Sequence, residues 1–285
     1  MRSFYKSSHG GPLSLLPTLA FKTPLPPNSS SAAFLTSSRK HPFSPSAMAG
    51  DDAWYPCNTT RAALEAYMKS GLLRPITDEG APEWIVPPVN DREPNPPPGY
   101  VVCFQSFLER GFRTPAGRLI RAILHYYGVE PHNLNPNFVM QSAVFATVCE
   151  GFLGFPPHWN LWLHLFKAYM SSRNEGGKKR PLWAGGCTLQ LCQSRSHLYI
   201  RSNMPTSNRG WQNGWFYLQN DGGLLPEYTG KMVVECPTKW GCGAPAEDQK
   251  RLDALLAGLE KLRQARVTAA TVATAFHKRS LLPLA

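Results

Sequence analysis

The hydrophobic positions in the middle of the chain follow a helical period. After Thr114-Pro115, a typical helix start, apolar side chains fall on one face and basic ones on the other, as far as Gly128, a typical helix end. A second helix is predicted from Asn135-Pro136. Its apolar residues cover most of its circumference, so we expect it to lie buried at the centre of the fold.

A stripe of large apolar residues follows Pro156-Pro157. Its members recur at the spacing of one helix face: Trp159, Trp162, Leu163, Phe166 and Met170. The stripe therefore predicts a third helix that runs to Met170 and packs against the core. We expect Phe145 and three stripe residues, Trp159, Trp162 and Phe166, to be buried there.

The hydrophobic period then changes to that of strands. Apolar and polar residues alternate in Thr188–Gln193 and Leu198–Arg201, and Trp215–Leu218 is an aromatic strand. These three segments predict one small antiparallel sheet.

Further helices are predicted at both ends of the folded region. One runs from Thr60 to Ser70, and Pro-rich chain follows it, in which Trp84–Val86 either anchors the segment to the body or belongs to a stiff linker. Near the other end, a helix that starts at Pro245 carries a leucine stripe, and Thr268 starts the last helix.

Composition divides the chain into three segments. The first fifty residues contain 11 Ser, 7 Pro and no Asp or Glu, too little apolar surface to order themselves. We expect a disordered, Ser/Pro-rich basic tail (1–50), a helix with a Pro-rich linker (51–98) and a folded domain (99–285). The fold class is α+β: a predominantly helical domain with a small antiparallel sheet, preceded by a disordered N-terminal tail. The tail also resembles a transit peptide, and Met48 is an alternative start.

The formal net charge of +11 favours an anionic partner. The charge is spread along the chain, so a soluble protein with a basic tail is the alternative. No apolar run is long enough to span a membrane, and we expect no membrane association. The seven cysteines favour reduced, buried thiols. We expect an intracellular protein of the nucleus or cytoplasm, with organelle import as the less favoured alternative.

The best-placed basic cluster is Lys178, Lys179 and Arg180, in a glycine-bearing loop. It is a candidate for phosphate contacts or a nuclear-import signal, although such runs also occur on solvated loops. Arg118 and Arg121 form a weaker candidate face. These five residues are the predicted nucleic-acid-binding site.

Candidate catalytic chemistry is sparse. The chain lacks a phosphate-binding glycine loop, a His-Glu-x-x-His motif and a Gly-x-Ser-x-Gly motif. The spacing of Cys187, Cys192 and His197 fits a zinc site poorly, and Asp221 and Glu260 do not look like metal ligands. A Cys–His pair involving Cys103 or Cys149 is left open, but we expect the histidines at residues 125, 132, 158 and 164 on helix surfaces or caps. We predict no catalytic residue, no metal and no cofactor.

A series of short motifs resembles one known family. The motifs are Phe107–Phe112, His125–Gly128, Leu134–Asn137, Cys149–Gly154, Pro157–Trp159, Leu161-Trp162, Gly210-Trp211, Trp215–Tyr217, Trp240-Gly241 and Arg279–Leu284. In this order they resemble the gypsy-type transposon domain family of plants, across about residues 55 to 285.

The resemblance implies a retroelement-derived protein. Family members are often labelled transposases but have no established catalytic residues, and they usually continue into a charged, coiled-coil-prone region. We therefore expect an N-terminal domain with a gag-like role: self-association, as a homo-oligomer, and weak binding of DNA or RNA, with no small-molecule substrate. The alternatives are a transposase-type DNA-processing enzyme and a protein-interaction module without a nucleic-acid role.

Overall fold

The computed structural model describes residues 54–74, 83–88, 91–201, 209–243 and 249–276. The predicted disordered tail (1–50) and the predicted helix start at Pro245 lie outside the described residues. The division into segments 51–98 and 99–285 stays a prediction.

Helical turns make up about 45% of the described chain, with small antiparallel sheets, which confirms the α+β class. The helices are α1 (Arg61–Lys69), α2 (Gln105–Glu109), α3 (Arg118–Tyr127), α4 (Pro136–Thr147), α5 (Trp159–Leu165), α6 (Pro237–Trp240), α7 (Gln249–Gln264) and α8 (Ala269–Phe276). The strands are β1 (Trp84–Ile85), β2 (Tyr100–Phe104), β3 (Phe166–Met170), β4 (Ser172–Glu175), β5 (Lys178–Pro181), β6 (Cys187–Leu191) and β7 (Trp215–Gln219).

The strands form three antiparallel sheets, where the sequence predicted one. β7 is the centre of a three-stranded sheet in the order β1-β7-β2, whereas β6 pairs with β3 and β4 pairs with β5. Trp84 lies opposite Leu218 of β7, so the anchoring alternative for the Pro-rich segment is confirmed. The predicted strand at Leu198–Arg201 is wrong. Leu198 is the last residue of the 3-10 helix Gln193–Leu198. The next two residues, Tyr199 and Ile200, are both buried, whereas consecutive residues of a strand with one solvent-exposed face alternate between buried and exposed.

The predicted third helix is right only in its first half. α5 ends at Leu165, and Phe166 begins β3, with Leu191 of β6 opposite. Phe166 and Ala168 are buried while Lys167 between them is half-buried, so strand pairing overrides the helical stripe here. Phe145, Trp162 and Phe166 lie in the core as predicted, but Trp159 is only partly buried, with its ring against Tyr126.

The ends of several helices follow the local sequence. The side chain of Asn135 accepts a hydrogen bond from the Phe138 amide at the start of α4, and Gly128 ends α3 with φ 66°. The predicted start of α3 at Thr114-Pro115 is wrong, because Thr114 and Pro115 form a bend and Gly117 takes the extended N-cap position. Thr60 and Thr268 begin α1 and α8 as predicted.

The expectation that all seven cysteines are reduced thiols is wrong for one pair. Cys192 and Cys242 form a disulfide with their Cα atoms 5.9 Å apart. Both approach the last turn of α5: the amide of Cys192 donates to the Leu165 carbonyl, and that of Gly243 donates to the Leu163 carbonyl. The pairing spans 50 residues of sequence, so spacing along the chain did not reveal it.

Candidate nucleic-acid interface

The predicted basic cluster lies on a β-hairpin. β3 and β6 form the base of this hairpin, and β4 and β5 continue it outward; we call residues 172–181 the arm. Every described side chain of the arm is exposed. The expectation of a glycine-bearing loop is therefore wrong, because Lys178, Lys179 and Arg180 form a regular strand.

The turn at the tip explains why these residues form a hairpin. Gly176 and Gly177 have φ angles of 56° and 80°, and a two-residue hairpin turn of this kind requires positive φ at both positions. Glycine adopts such angles without a steric penalty. The Gly-Gly pair was the available sequence signal for the hairpin.

The register of the arm sorts its charged residues between two faces. Arg173 lies directly opposite Arg180, and Asn174 lies opposite Lys179. Because residues alternate between the two faces of a strand, Arg173, Glu175, Lys178 and Arg180 share one face, and Asn174 and Lys179 share the other. The structure thus adds Arg173 to the three predicted residues.

The base of the arm is fixed to the body near the start of α4. The amide of Gly185 donates to the His132 carbonyl at 3.0 Å, and the Asn135 side chain donates to the Thr188 hydroxyl at 2.8 Å. Gly185, with φ 80°, also packs closely against Trp211: a Cβ atom on this glycine would lie 2.6 Å from the ring. These contacts hold the direction in which the arm leaves the domain.

The other two predicted residues lie on a different surface. Arg118 and Arg121 belong to α3, where Arg118 is exposed and Arg121 is half-buried, with its Nε atom buried and without a hydrogen-bond partner. Arg118 lines a cavity, and no arm residue does. The five predicted residues therefore form two separate groups.

That cavity has a volume of about 460 Å³ and lies between α3, α4 and α8. The guanidinium of Arg113 lies over the Phe276 ring on its wall, 4.7 Å from the ring centroid. The hydroxyls of Ser142 and Thr147 donate to backbone carbonyls of their own helix. The cavity has a size that suits a small molecule, and its charged lining residues are Arg113, Arg118 and Glu150.

A polar cluster, in which His132 is buried and Thr229 is exposed, ties the chain after β7 to the turn before α4. The carboxylate of Glu130 accepts hydrogen bonds from the Thr229 amide at 2.9 Å and from the Thr229 hydroxyl. His132 lies fully buried with Nδ1 3.2 Å from Glu130, and its ring packs between Trp54 and Tyr228. The expectation that His132 lies on a surface or cap is therefore wrong, whereas His158 caps α5 as predicted.

The charge states around this cluster follow from its contacts. Burial tends to raise the pKa of Glu130, but His132 and the hydrogen bonds from Thr229 outweigh it, so the pKa is lowered. Burial, followed by the charge of Glu130, raises the pKa of Tyr228. The Thr229 hydroxyl contacts the carboxylate and not the imidazole, so the arrangement is not that of a nucleophile activated by histidine.

The candidate Cys–His pairs do not form an activated thiol. Burial raises the pKa values of Cys103 and Cys149 to about 12 and also raises that of Cys187. Cys149 contacts the backbone of His158 rather than its ring. Protonated thiols are poor nucleophiles.

The described acidic residues do not form a metal-binding cluster either. Within the described ranges, no group of three His, Cys, Asp or Glu residues is arranged to hold a metal ion. Asp221 lies in a short 3-10 turn after β7, and Glu260 contacts Arg263 on the same helix. In the part of the chain that the structure covers, no helix is both long and apolar enough to cross a membrane.

Comparison with known families agrees with the motifs in the sequence. Residues 102–170 match the family Transposase_28, described as "Putative gypsy type transposon". These residues run from within β2 to the end of β3 and include α2 to α5, so the similarity to this family covers about a quarter of the chain. The arm begins two residues after the matched segment ends. No curated protein and no solved structure matches the chain.

Proposed function

We propose that this transposon-related protein has a non-enzymatic, gag-like role, in which it binds nucleic acid through the arm and associates with itself. The observation that carries the proposal is the exposed arm with Arg173, Lys178, Lys179 and Arg180. Exposed cations on a projecting hairpin can reach phosphates without first losing buried contacts. Binding of this kind is largely electrostatic and independent of sequence.

The residues on α3 supply a second, weaker contact in this proposal. Arg118 is exposed and Arg121 is half-buried one turn further along the helix. Since they lie apart from the arm, their contribution adds to that of the arm and can be measured separately.

The experiment that tests nucleic-acid binding measures affinity against salt concentration. The full chain is titrated against labelled duplex DNA and single-stranded RNA. If all four arm cations contact phosphates, the slope is about 3.6 in log Kd against log salt for duplex DNA and about 2.8 for a single strand, and fewer contacts give a proportionally smaller slope. We expect the fourfold variant R173Q/K178Q/K179Q/R180Q to lose most of this slope.

A control variant removes an equal number of exposed cations elsewhere. Lys69 at the end of α1 and Lys250, Arg251 and Lys261 on α7 are all exposed. We expect K69Q/K250Q/R251Q/K261Q to keep the slope of the unmodified chain, and R118Q/R121Q to lower it by at most about 2. Equal slopes for the arm variant and the control would overturn the role of the arm.

Self-association is tested by solution mass at several protein concentrations. A mass that rises above that of one chain supports the gag-like role, and a monomer at every concentration contradicts it. The transposase alternative predicts metal-dependent strand cleavage that is lost in D221N.

An exposed apolar segment favours the interaction-module alternative as the second candidate. Val234 is 79% exposed and Met232 is exposed beside it, in the irregular chain after β7. Failure of the full chain to bind nucleic acid even at low salt would favour this function.

A further inference from the structure

We propose that the arm recognises duplex DNA by entering its major groove, with the face that carries Arg173 and Arg180 turned towards the base edges. This inference rests on the proposed function, since it specifies which nucleic acid the arm binds and how.

The dimensions of the arm fit that groove. The B-form major groove is about 12 Å wide and 8.5 Å deep, and it admits a two-stranded ribbon. β4 and β5 are such a ribbon, joined by a two-residue turn and without a third strand at either edge among the described residues. Each arm strand has four residues and is therefore about 13 Å long. With one face towards the base edges, the ribbon lies along the groove, and its side chains reach down to the bases.

The side chains on the arm fit the chemistry of base edges. Arginine donates two parallel hydrogen bonds to O6 and N7 of guanine, the commonest base-specific contact. Arg173 and Arg180 lie directly opposite each other, so one face of the ribbon carries two exposed arginines, together with Lys178 and Glu175. Lys179 on the other face remains available for a phosphate at the edge of the groove.

The composition of the arm disfavours single strands. Proteins that bind unpaired bases stack them on aromatic side chains. Residues 172–181 contain no Phe, Tyr, Trp or His. Double-stranded RNA is disfavoured for a different reason, because its major groove is deep and too narrow for side chains to read.

The test compares four probes of one sequence: duplex DNA, duplex RNA, single-stranded DNA and single-stranded RNA. The full chain is titrated with each at one salt concentration. We expect duplex DNA to bind at least about fivefold more tightly than duplex RNA, the discrimination that one bidentate base contact supplies. We also expect bound protein to protect guanine N7 from methylation by dimethyl sulfate.

Two variants separate base contact from charge. R173Q/R180Q should lose both the preference for duplex DNA and the N7 protection. R173K/R180K keeps the charge, so it should keep the salt dependence, while the protection should weaken because lysine lacks the planar fork of arginine. K250Q/R251Q on α7 is the control and should behave as the unmodified chain.

The outcomes distinguish this inference from the proposed function. Equal affinity for all four probes, with binding still dependent on the arm, overturns the groove inference and leaves the arm as a general phosphate contact. Tight duplex binding without N7 protection also overturns it. Binding that does not depend on the arm at all overturns both.

Discussion

Replacing Glu130 by glutamine tests whether the polar cluster of Glu130, His132 and Thr229 holds the chain after β7 against the body. The carboxylate accepts two hydrogen bonds from Thr229 and lies 3.2 Å from His132. Only 13% of the Glu130 side chain is exposed. Glutamine keeps one acceptor oxygen but loses the charge and the second acceptor.

The expected cost follows from these contacts. A hydrogen bond to a charged group contributes about 1.5–3 kcal/mol, so E130Q should lower the free energy of unfolding by about that amount. For a domain of this size the loss corresponds to a fall in Tm of about 3–12 °C. Urea unfolding at neutral pH, followed by tryptophan fluorescence, measures it.

The surface pair of Arg61 and Glu65 provides the control. These side chains are 72% and 39% exposed, and exposed pairs contribute about 0.2–1 kcal/mol. E65Q should therefore leave the unfolding curve almost unchanged. If E130Q and E65Q have equal effects, the Glu130 cluster does not stabilise the fold.

The pH dependence gives a second check on the same cluster. Because the pKa of Glu130 is lowered by folding, its stabilisation is present above its unfolded pKa of about 4.3 and is lost as the pH falls through the folded value. Tyr228 stays neutral in this range, since its pKa is raised, and His132 is the group that faces the carboxylate. The difference in stability between the unmodified chain and E130Q should shrink with acidification; a constant difference would contradict the lowered pKa.

Two further predictions concern stability elsewhere. G185A should destabilise the domain by more than about 2 kcal/mol, because a Cβ atom there would lie 2.6 Å from Trp211. G177A at the arm tip is the control: Gly177 has the same φ of 80° but open space around it. This variant should therefore carry only the backbone penalty of about 1–2 kcal/mol. Thermal unfolding of both variants checks this, and equal losses would contradict the steric argument. C192S/C242S should be about 2–4 kcal/mol less stable than the oxidised protein, because the disulfide closes a loop of 50 residues. Unfolding of the oxidised protein with and without a reductant checks this, and no difference would contradict the pairing.

Local signals predicted three helix ends correctly. Asn135, Thr60 and Gly128 act within one turn of their own positions, so their effect is present in the sequence itself. The leucine stripe of α7 is likewise confirmed, with Leu252, Leu255 and Leu259 buried. Such features need no knowledge of the rest of the chain.

The errors occurred where distant segments decide the structure. Phe166 fits the helical stripe of α5, yet its pairing with Leu191 makes it the first residue of a strand. The contacts of Glu130 with Thr229 join residues 99 positions apart, and the disulfide joins residues 50 apart. Periodicity and spacing carry no information about partners at such separations.

The two strands of the arm were not predicted, for a different reason. Strand prediction depends on alternation of apolar and polar residues, and residues 172–180 contain no apolar side chain. Only the Gly-Gly turn signals the hairpin. The cations were found because charge is visible without structure, but Arg173 was missed because it is separated from the run by the turn and joins it only through the register.

The same lack of apolar residues supports a role in binding. Side chains from Arg173 to Arg180 bury nothing in the core, and substitutions at exposed positions away from packing usually change stability by no more than about 0.5 kcal/mol. The core contacts of β3 and β6 do not depend on charge at the arm. Contact with a polyanion depends on exposed cations, and the arm supplies four of them on a hairpin whose base is fixed to the body by the contacts of Gly185 and Asn135.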